Sequence, residues 1–320
     1  MYKLLPILLL LSTPVLSAET VRSLNIDTDR VTVSGISAGG QMAHQLHISY
    51  SDMFSGAGMI ASGPFGCANG SLATAMARCM GKTDNPIPVE DLVESINTAA
   101  KQGLVADTKN LADDPVWLFH GTLDTTVAAQ VNDAAQALYA EFIPAEQITY
   151  VNDVAAIHNF PASGHGSECT AMEPPFVGNC DYDAAGEILK HLYTDLKTPS
   201  SEPVAALQTV NLPGATKAGL SDTAYLFVPP ACAGGAQTCA LHLVLHGCAQ
   251  SAVTVGTDFM QQSGYLSWAE ANDIVLAFPQ VVPATLNPYA CWDWWGYTDA
   301  DYRWRNGKQM VVVTDWIKNF

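Results

Sequence analysis

Ser37 lies in Gly35-Ile36-Ser37-Ala38-Gly39, between the β-branched run that starts at Arg30 and the helical pattern "GGQMAHQLHISY". A strand that ends on a serine among small residues and turns at once into a helix is the layout of a nucleophile elbow. Gly35, Ala38, Gly39 and Gly40 permit the sharp turn and the close strand–helix packing that such an elbow needs. The competing reading is a turn serine with a structural role alone. A serine hydroxyl is a poor nucleophile at neutral pH, so the chemistry in prospect is acyl transfer. That chemistry requires a histidine base oriented by a carboxylate.

Where a serine elbow sits on an α/β sheet, the acid and then the histidine follow it, each on a loop after a later strand. Asp124, in "WLFHGTLDTTV", lies just past a buried strand and is assigned as the acid; the alternative is a turn or N-cap aspartate. Asp113 and Asp114 precede that strand and would emerge at its other end. His158 and His165 compete for the role of base. His158 directly follows the strand "QITYVNDV", whereas His165 is flanked by Gly164 and Gly166, a poor place to hold an imidazole still. We therefore assign His158. His120 and His246 each close a strand in a His-Gly pair and read as structural, and His44 and His47 have no carboxylate motif beside them that would make a metal site. A tetrahedral intermediate needs two N–H donors. One is expected from the backbone of Ala38, the other from Cys248 in "LHLVLHGCAQ".

The eight cysteines suit an oxidising compartment. Proximity suggests Cys67 with Cys79, Cys169 with Cys180, and Cys232 with Cys239, which leaves Cys248 and Cys291. A bridge between those two would tie the oxyanion loop to "CWDWWGY"; a free Cys248 is the alternative. No pair has the CxxC spacing of a zinc site. In the aromatic cluster at least one of Trp292, Trp294 and Trp295 is expected in the core, which leaves an indole to line an acyl pocket with Tyr297 nearby. We assign substrate contact to Trp294 and Trp295.

The chain has 320 residues and 48% hydrophobic content, enough for one large packed domain. "MYKLLPILLLLSTPVLSAET" has the lysine, leucine run and small residues of a signal peptide over residues 1–18, and its apolar run is too short for a membrane span. Pro6 and Pro14 oppose the alternative of a buried N-terminal helix. The protein is expected outside the cytoplasm, extracellular or periplasmic, with no membrane anchor. A net charge of −17 argues against nucleic acid or an anionic membrane as partner.

Strands and helices alternate from the elbow to "DYDAAGEILKHLYTDL", as in a mostly parallel sheet covered by helices. The pattern breaks at "LKTPSSEPVAAL", read as a linker over about residues 196–206. Beyond it "TVNLPG" and "TAYLFVPPAC" read as antiparallel strands, "ALHLVLHGCAQ" and "IVLAFPQV" as buried strands, and "FMQQSGYLSWAEANDI" and "GKQMVVVTDWIKNF" as helices. These are the elements an α/β-hydrolase places before its nucleophile. The expectation is a circularly permuted α/β-hydrolase, the linker joining what would otherwise be the chain ends. Two independent domains are less consistent, because neither half has a complete set of strands.

"SGISAGGQMA", "FHGTLDTTV", "HNFP", "PPFVGNCDYDAAGEILKHLY", "HGC" and "CWDWWGY", in this order, resemble the secreted poly(3-hydroxybutyrate) depolymerases whose catalytic domain is circularly permuted. The resemblance implies hydrolysis of polyester or oligoester substrate through an acyl-enzyme, with no cofactor and no metal. It carries the nucleophile to Ser37, the acid to Asp124, the base to His158 and an oxyanion donor to Cys248. It supports a tryptophan of the "CWDWW" run as a substrate contact without selecting which. The expected layout is a single catalytic domain over 19–320, a monomer without a separate polymer-binding domain. The alternatives are a feruloyl or acetylxylan-type carbohydrate esterase, which the same triad could serve, and, from another class, a non-catalytic polymer-binding protein.

Overall fold

Asn25–Ile36 form a long strand, β1, and the chain turns at Ser37 into the helix Ala38–Ser49. The structure, a computed structural model, describes residues 24–81 and 84–320; the expected signal peptide lies outside them. After the elbow helix come β2 (Ala57–Ile60), β3 (Val116–Phe119) and β4 (Ile148–Val151), then three short strands, β5 (Phe160–Ala162), β6 (Ser167–Glu168) and β7 (Val177–Asn179). The later part of the chain supplies β8 (Gln208–Asn211), β9 (Thr223–Phe227), β10 (Thr238–Leu245) and β11 (Ile274–Phe278). Among the described residues these make an eight-stranded sheet in the order β4-β3-β2-β1-β10-β11-β9-β8 and a small sheet β5-β7-β6.

The junction of early and late chain is the parallel pair β1 and β10, in register from Val31 with Leu241 to Gly35 with Leu245. β2, β3 and β4 extend the sheet in parallel on one side and β11 on the other, while β9 runs antiparallel to β11 and β8 antiparallel to β9. This is the permuted arrangement. Ile317, Lys318 and Phe320, at the end of helix Lys308–Ile317, share a surface cleft with Leu24, Asn25 and Ile26. Segment 196–206 contains no helix or strand, and it is pinned by Lys197 N–H on Asn272 and by Val204 and Ala205 N–H on the Glu270 carboxylate.

Alternation along β1 divides the core. Val31 and Val33 face one apolar cluster with the elbow helix and helix Lys308–Ile317, whereas Ile36 joins a second cluster with helices Ala184–Leu192 and Tyr265–Ala271. The expected single helix over "FMQQSGYLSWAEANDI" is two, Asp258–Gln262 and Tyr265–Ala271. They part at Gly264, whose φ of 89° lies in the left-handed region that ends a helix.

The second face of β1 also carries a buried polar chain. His242 of β10 sits 2.7 Å from Thr32 Oγ1 through Nδ1 and 2.7 Å from Ser34 Oγ through Nε2; the hydroxyls continue to Tyr193 OH at 2.5 Å and Tyr265 OH at 2.6 Å. A neutral ring, donating at one nitrogen and accepting at the other, satisfies the chain; a charged one could only donate. Burial lowers the His242 pKa to about 3, that of His44 to about 3 and that of His246 to about 4. As pH falls below about 6.5, the unfolded chain takes up protons that these native imidazoles refuse, so stability must fall. Each contributes up to about 1.4 kcal/mol per pH unit over that window. The melting temperature is therefore expected to drop steadily from pH 7 to pH 5, and the slope to be shallower in His242→Gln; an equal slope in the variant would refute the assignment.

Candidate active site

Four candidate groups leave the sheet at one edge, because parallel strands all end on the same side. Ser37 follows β1, Asp124 follows β3, His158 follows β4, and Cys248 follows β10. Ser37 has φ 55° and ψ −120°, a strained conformation for a residue with a side chain, costing about 1–3 kcal/mol. The turn is held by Ser37 N–H on Ile60 O at 2.8 Å and by Gln41 N–H on Ser37 O at 2.9 Å. Its glycines are required by backbone contact: a Cβ on Gly35 would lie 2.4 Å from the Gly39 carbonyl, and one on Gly39 would lie 2.3 Å from Leu245 O.

Ser37 Oγ is 2.9 Å from His158 Nε2, and His158 Nδ1 is 2.8 Å from Asp124 Oδ2. The Asp124 side chain is fully buried and its two oxygens have separate tasks. Oδ1 accepts from Thr126 N–H at 2.8 Å and Val127 N–H at 3.0 Å, which fixes the carboxylate plane; Oδ2 is left for the imidazole. A carboxylate at Nδ1 selects the tautomer that carries its proton there, which leaves Nε2 free to accept from the serine hydroxyl. Asp124 does not cap the next helix, whose N-cap is Ala128.

The other titratable candidates fall elsewhere. His165 is exposed in the loop between β5 and β6. Asp114 lies at the opposite end of β3 and pairs with His47 Nε2 at 3.0 Å, while His47 Nδ1 meets Tyr139 OH at 2.9 Å. His44 stacks on Tyr139 with ring centroids 4.2 Å apart. His120 bonds Val127 O, and His246 bonds Gly247 O and accepts from Val281 N–H.

The two expected oxyanion donors flank Ser37. Among the described residues the Ala38 and Cys248 N–H groups have no protein partner, whereas Gly247 N–H and Ala249 N–H on either side of Cys248 are both bonded. A Cβ on Gly247 would lie 3.5 Å from Ser37 Cβ, so the corner lies beside Ser37. Cys248 is bridged to Cys291; the other disulfides are Cys67–Cys79, Cys169–Cys180 and Cys232–Cys239.

Ser37 and Ala38 open into a cavity of about 390 Å³ whose wall includes Leu72, Met76, Met80, Val127, Leu286, Tyr289, Trp294 and Trp295, with no charged side chain among the described residues. Both of its side-chain amides are spent on the backbone. Asn287 bonds Cys291 through both ends of its amide, and Gln41 does the same with Gly63. Trp294 and Trp295 pack edge to face at 5.5 Å on this wall, while Trp292 is wholly buried against His246. Sequence reasoning missed the wall from helix Leu72–Arg78, although the exposed Leu72 and Met76, four residues apart on one helix face, are a signal for it.

The sheet and elbow define an α/β-hydrolase. Residues 12–151 match the family model described as "Esterase PHB depolymerase". A poly(3-hydroxybutyrate) depolymerase of Delftia acidovorans is 40% identical over 302 residues, 93% of this chain; the chain spans 60% of that protein's length. A polyhydroxybutyrate depolymerase of Talaromyces funiculosus is 32% identical over 94% of this chain and 92% of its own. The crystal structure of the PHB depolymerase from Penicillium funiculosum superposes with a TM-score of 0.87 at 31% identity, covering 93% of this chain and 97% of that one. A PHB depolymerase complexed with an R3HB trimer superposes equally well, with a TM-score of 0.87 at 30% identity. This chain belongs to the PHB depolymerase family.

Gly39→Ala tests the strand–helix contact under the site. The new methyl meets backbone rather than a movable side chain, so the variant should lose about 3 kcal/mol or more of stability in urea unfolding; a loss near zero would contradict the packing.

Proposed function

We propose that this chain is an exported serine esterase that hydrolyses ester bonds of poly- or oligo(3-hydroxybutyrate). The observation that carries the reading is the unbroken path Ser37–His158–Asp124, at 2.9 and 2.8 Å, whose serine opens into an apolar cavity with no charged side chain among the described residues. In this mechanism Ser37 Oγ attacks the ester carbonyl while His158 Nε2 takes its proton. Asp124 stabilises the imidazolium. The oxyanion is received by the N–H groups of Ala38 and Cys248, each such donor being worth about 3 kcal/mol of barrier. His158 then protonates the departing hydroxyl, which leaves an acyl-enzyme, and a water activated by the same imidazole releases the hydroxy acid.

Membership of the family supports the substrate class, as does the trimer bound by a structural relative. So does the wall chemistry: a 3-hydroxybutyrate unit offers a methyl branch and no charge, which suits Met76, Leu286, Trp294 and Trp295. A cell-wall esterase would need polar groups for sugar, and the amides of Gln41 and Asn287 are already committed to the backbone. Four disulfides and the leucine-rich leader support export.

Purified protein should clear a suspension of amorphous polyhydroxybutyrate, and ferulate release from an aryl ester without clearing would overturn the substrate assignment. An organophosphonate should label the wild type but not Ser37→Ala; persistent labelling would remove Ser37 from its role. Trp294→Ala is expected to raise KM for a 3-hydroxybutyrate oligomer by about 3- to 10-fold, since an aromatic contact is worth about 1 kcal/mol. An unchanged KM would take Trp294 out of the substrate wall.

A further inference from the structure

Resting on the serine-esterase reading above, we propose that Gln250 is the positioning residue that locks the oxyanion corner to the loop bearing His158. Its side chain is buried, with the residue 3% exposed, and its amide is fully used. Oε1 accepts from Gly247 N–H at 2.7 Å, and Nε2 donates to Pro175 O and to Phe176 O, each at 3.0 Å. The Phe176 carbonyl also accepts Phe160 N–H at 2.9 Å, and Phe160 opens β5 two residues after His158. One amide thus spans from the corner after β10 to the small sheet that anchors the histidine loop.

The corner is determined at every point except the one that matters for chemistry. Gly247 N–H is held by Gln250, Ala249 N–H by Tyr289 O at 2.6 Å, and the Cys248 side chain by its bridge to Cys291. The Cys248 N–H alone has no partner among the described residues. Ala249, at φ 60°, turns the chain just after it. Without Gln250, Gly247 N–H loses its acceptor and the Gly247–Cys248 peptide gains freedom to rotate. The donor would then be disordered when the oxyanion forms, while the apolar wall that binds the ground-state ester is untouched. Loss should therefore fall on kcat rather than KM.

The test uses Gln250→Ala and Gln250→Glu in the full chain. The second keeps an acceptor for Gly247 but sets a carboxylate oxygen against the Pro175 and Phe176 carbonyls. On p-nitrophenyl butyrate both variants should lose about 10- to 100-fold in kcat with KM within about twofold of wild type, the scale of an ångström misplacement. The inhibition constant of a trifluoromethyl ketone, whose adduct with Ser37 needs the oxyanion donors, should rise in parallel. If Gln250→Ala does not fold, Gln250→Glu, of nearly equal volume, gives the reading; collapse of both assigns Gln250 a purely structural role and overturns the proposal. Wild-type kcat in a folded variant, or a loss carried by KM, overturns it as well. A wild-type protein inert to the ester would instead bring down the esterase reading itself.

Discussion

The parallel ladder between β1 and β10 joins residues more than two hundred positions apart, and the site depends on it. Its register sets Gly35 beside Leu245, so the two strands end together, one turning into Ser37 and the other into Gly247 and Cys248. The helix after Ser37 then passes so near the end of β10 that only hydrogen fits on the Gly39 Cα. Ser37 and Cys248 are thus neighbours by backbone geometry, before any side chain contributes. Shifting that register by one residue would exchange the two faces of β1 and bury the serine on the wrong side.

Around this junction the ionisable groups are sorted by their surroundings. His44, His242 and His246 are enclosed and held neutral by desolvation; His242 and His246 use both ring nitrogens in hydrogen bonds within the frame, and His44 stacks on Tyr139. His158 instead meets the Ser37 hydroxyl with a buried carboxylate behind it, the one imidazole among these set between a serine and an aspartate. The elbow strain at Ser37 is sustained because the sheet, the helix and the Ile60 carbonyl over-determine it.

The cavity beside the elbow gives the site its apolar character. Beyond the elbow residues 37–41, its wall draws on stretches far apart in the chain, at 61–62, 72–80, Val127, Cys248 and 286–295, and two disulfides, Cys67–Cys79 and Cys248–Cys291, border it. Leu72, Met76, Leu286 and Tyr289 remain exposed at its edge, each by half or more. Such a rim is apolar, and among the described residues no charged side chain lines the cavity behind it.

Much of this was legible in the sequence where a residue type answers a local demand. The elbow needs small residues around its serine, an acid and a histidine must follow later strands, and cysteines seven to twelve residues apart can close short loops; these requirements singled out Ser37, Asp124, His158 and three of the cysteine pairs. The permuted order was legible too, because strand and helix patterns depend on period and not on position along the chain. Tertiary structure decided what depends on the direction a side chain turns within a packed assembly. Trp292 enters the core while Trp294 and Trp295 face the cavity, the helix near 258–271 breaks at Gly264, and Gln250 spans two loops far apart in sequence. No local pattern separates those outcomes, since each is settled by contacts with residues tens to hundreds of positions away.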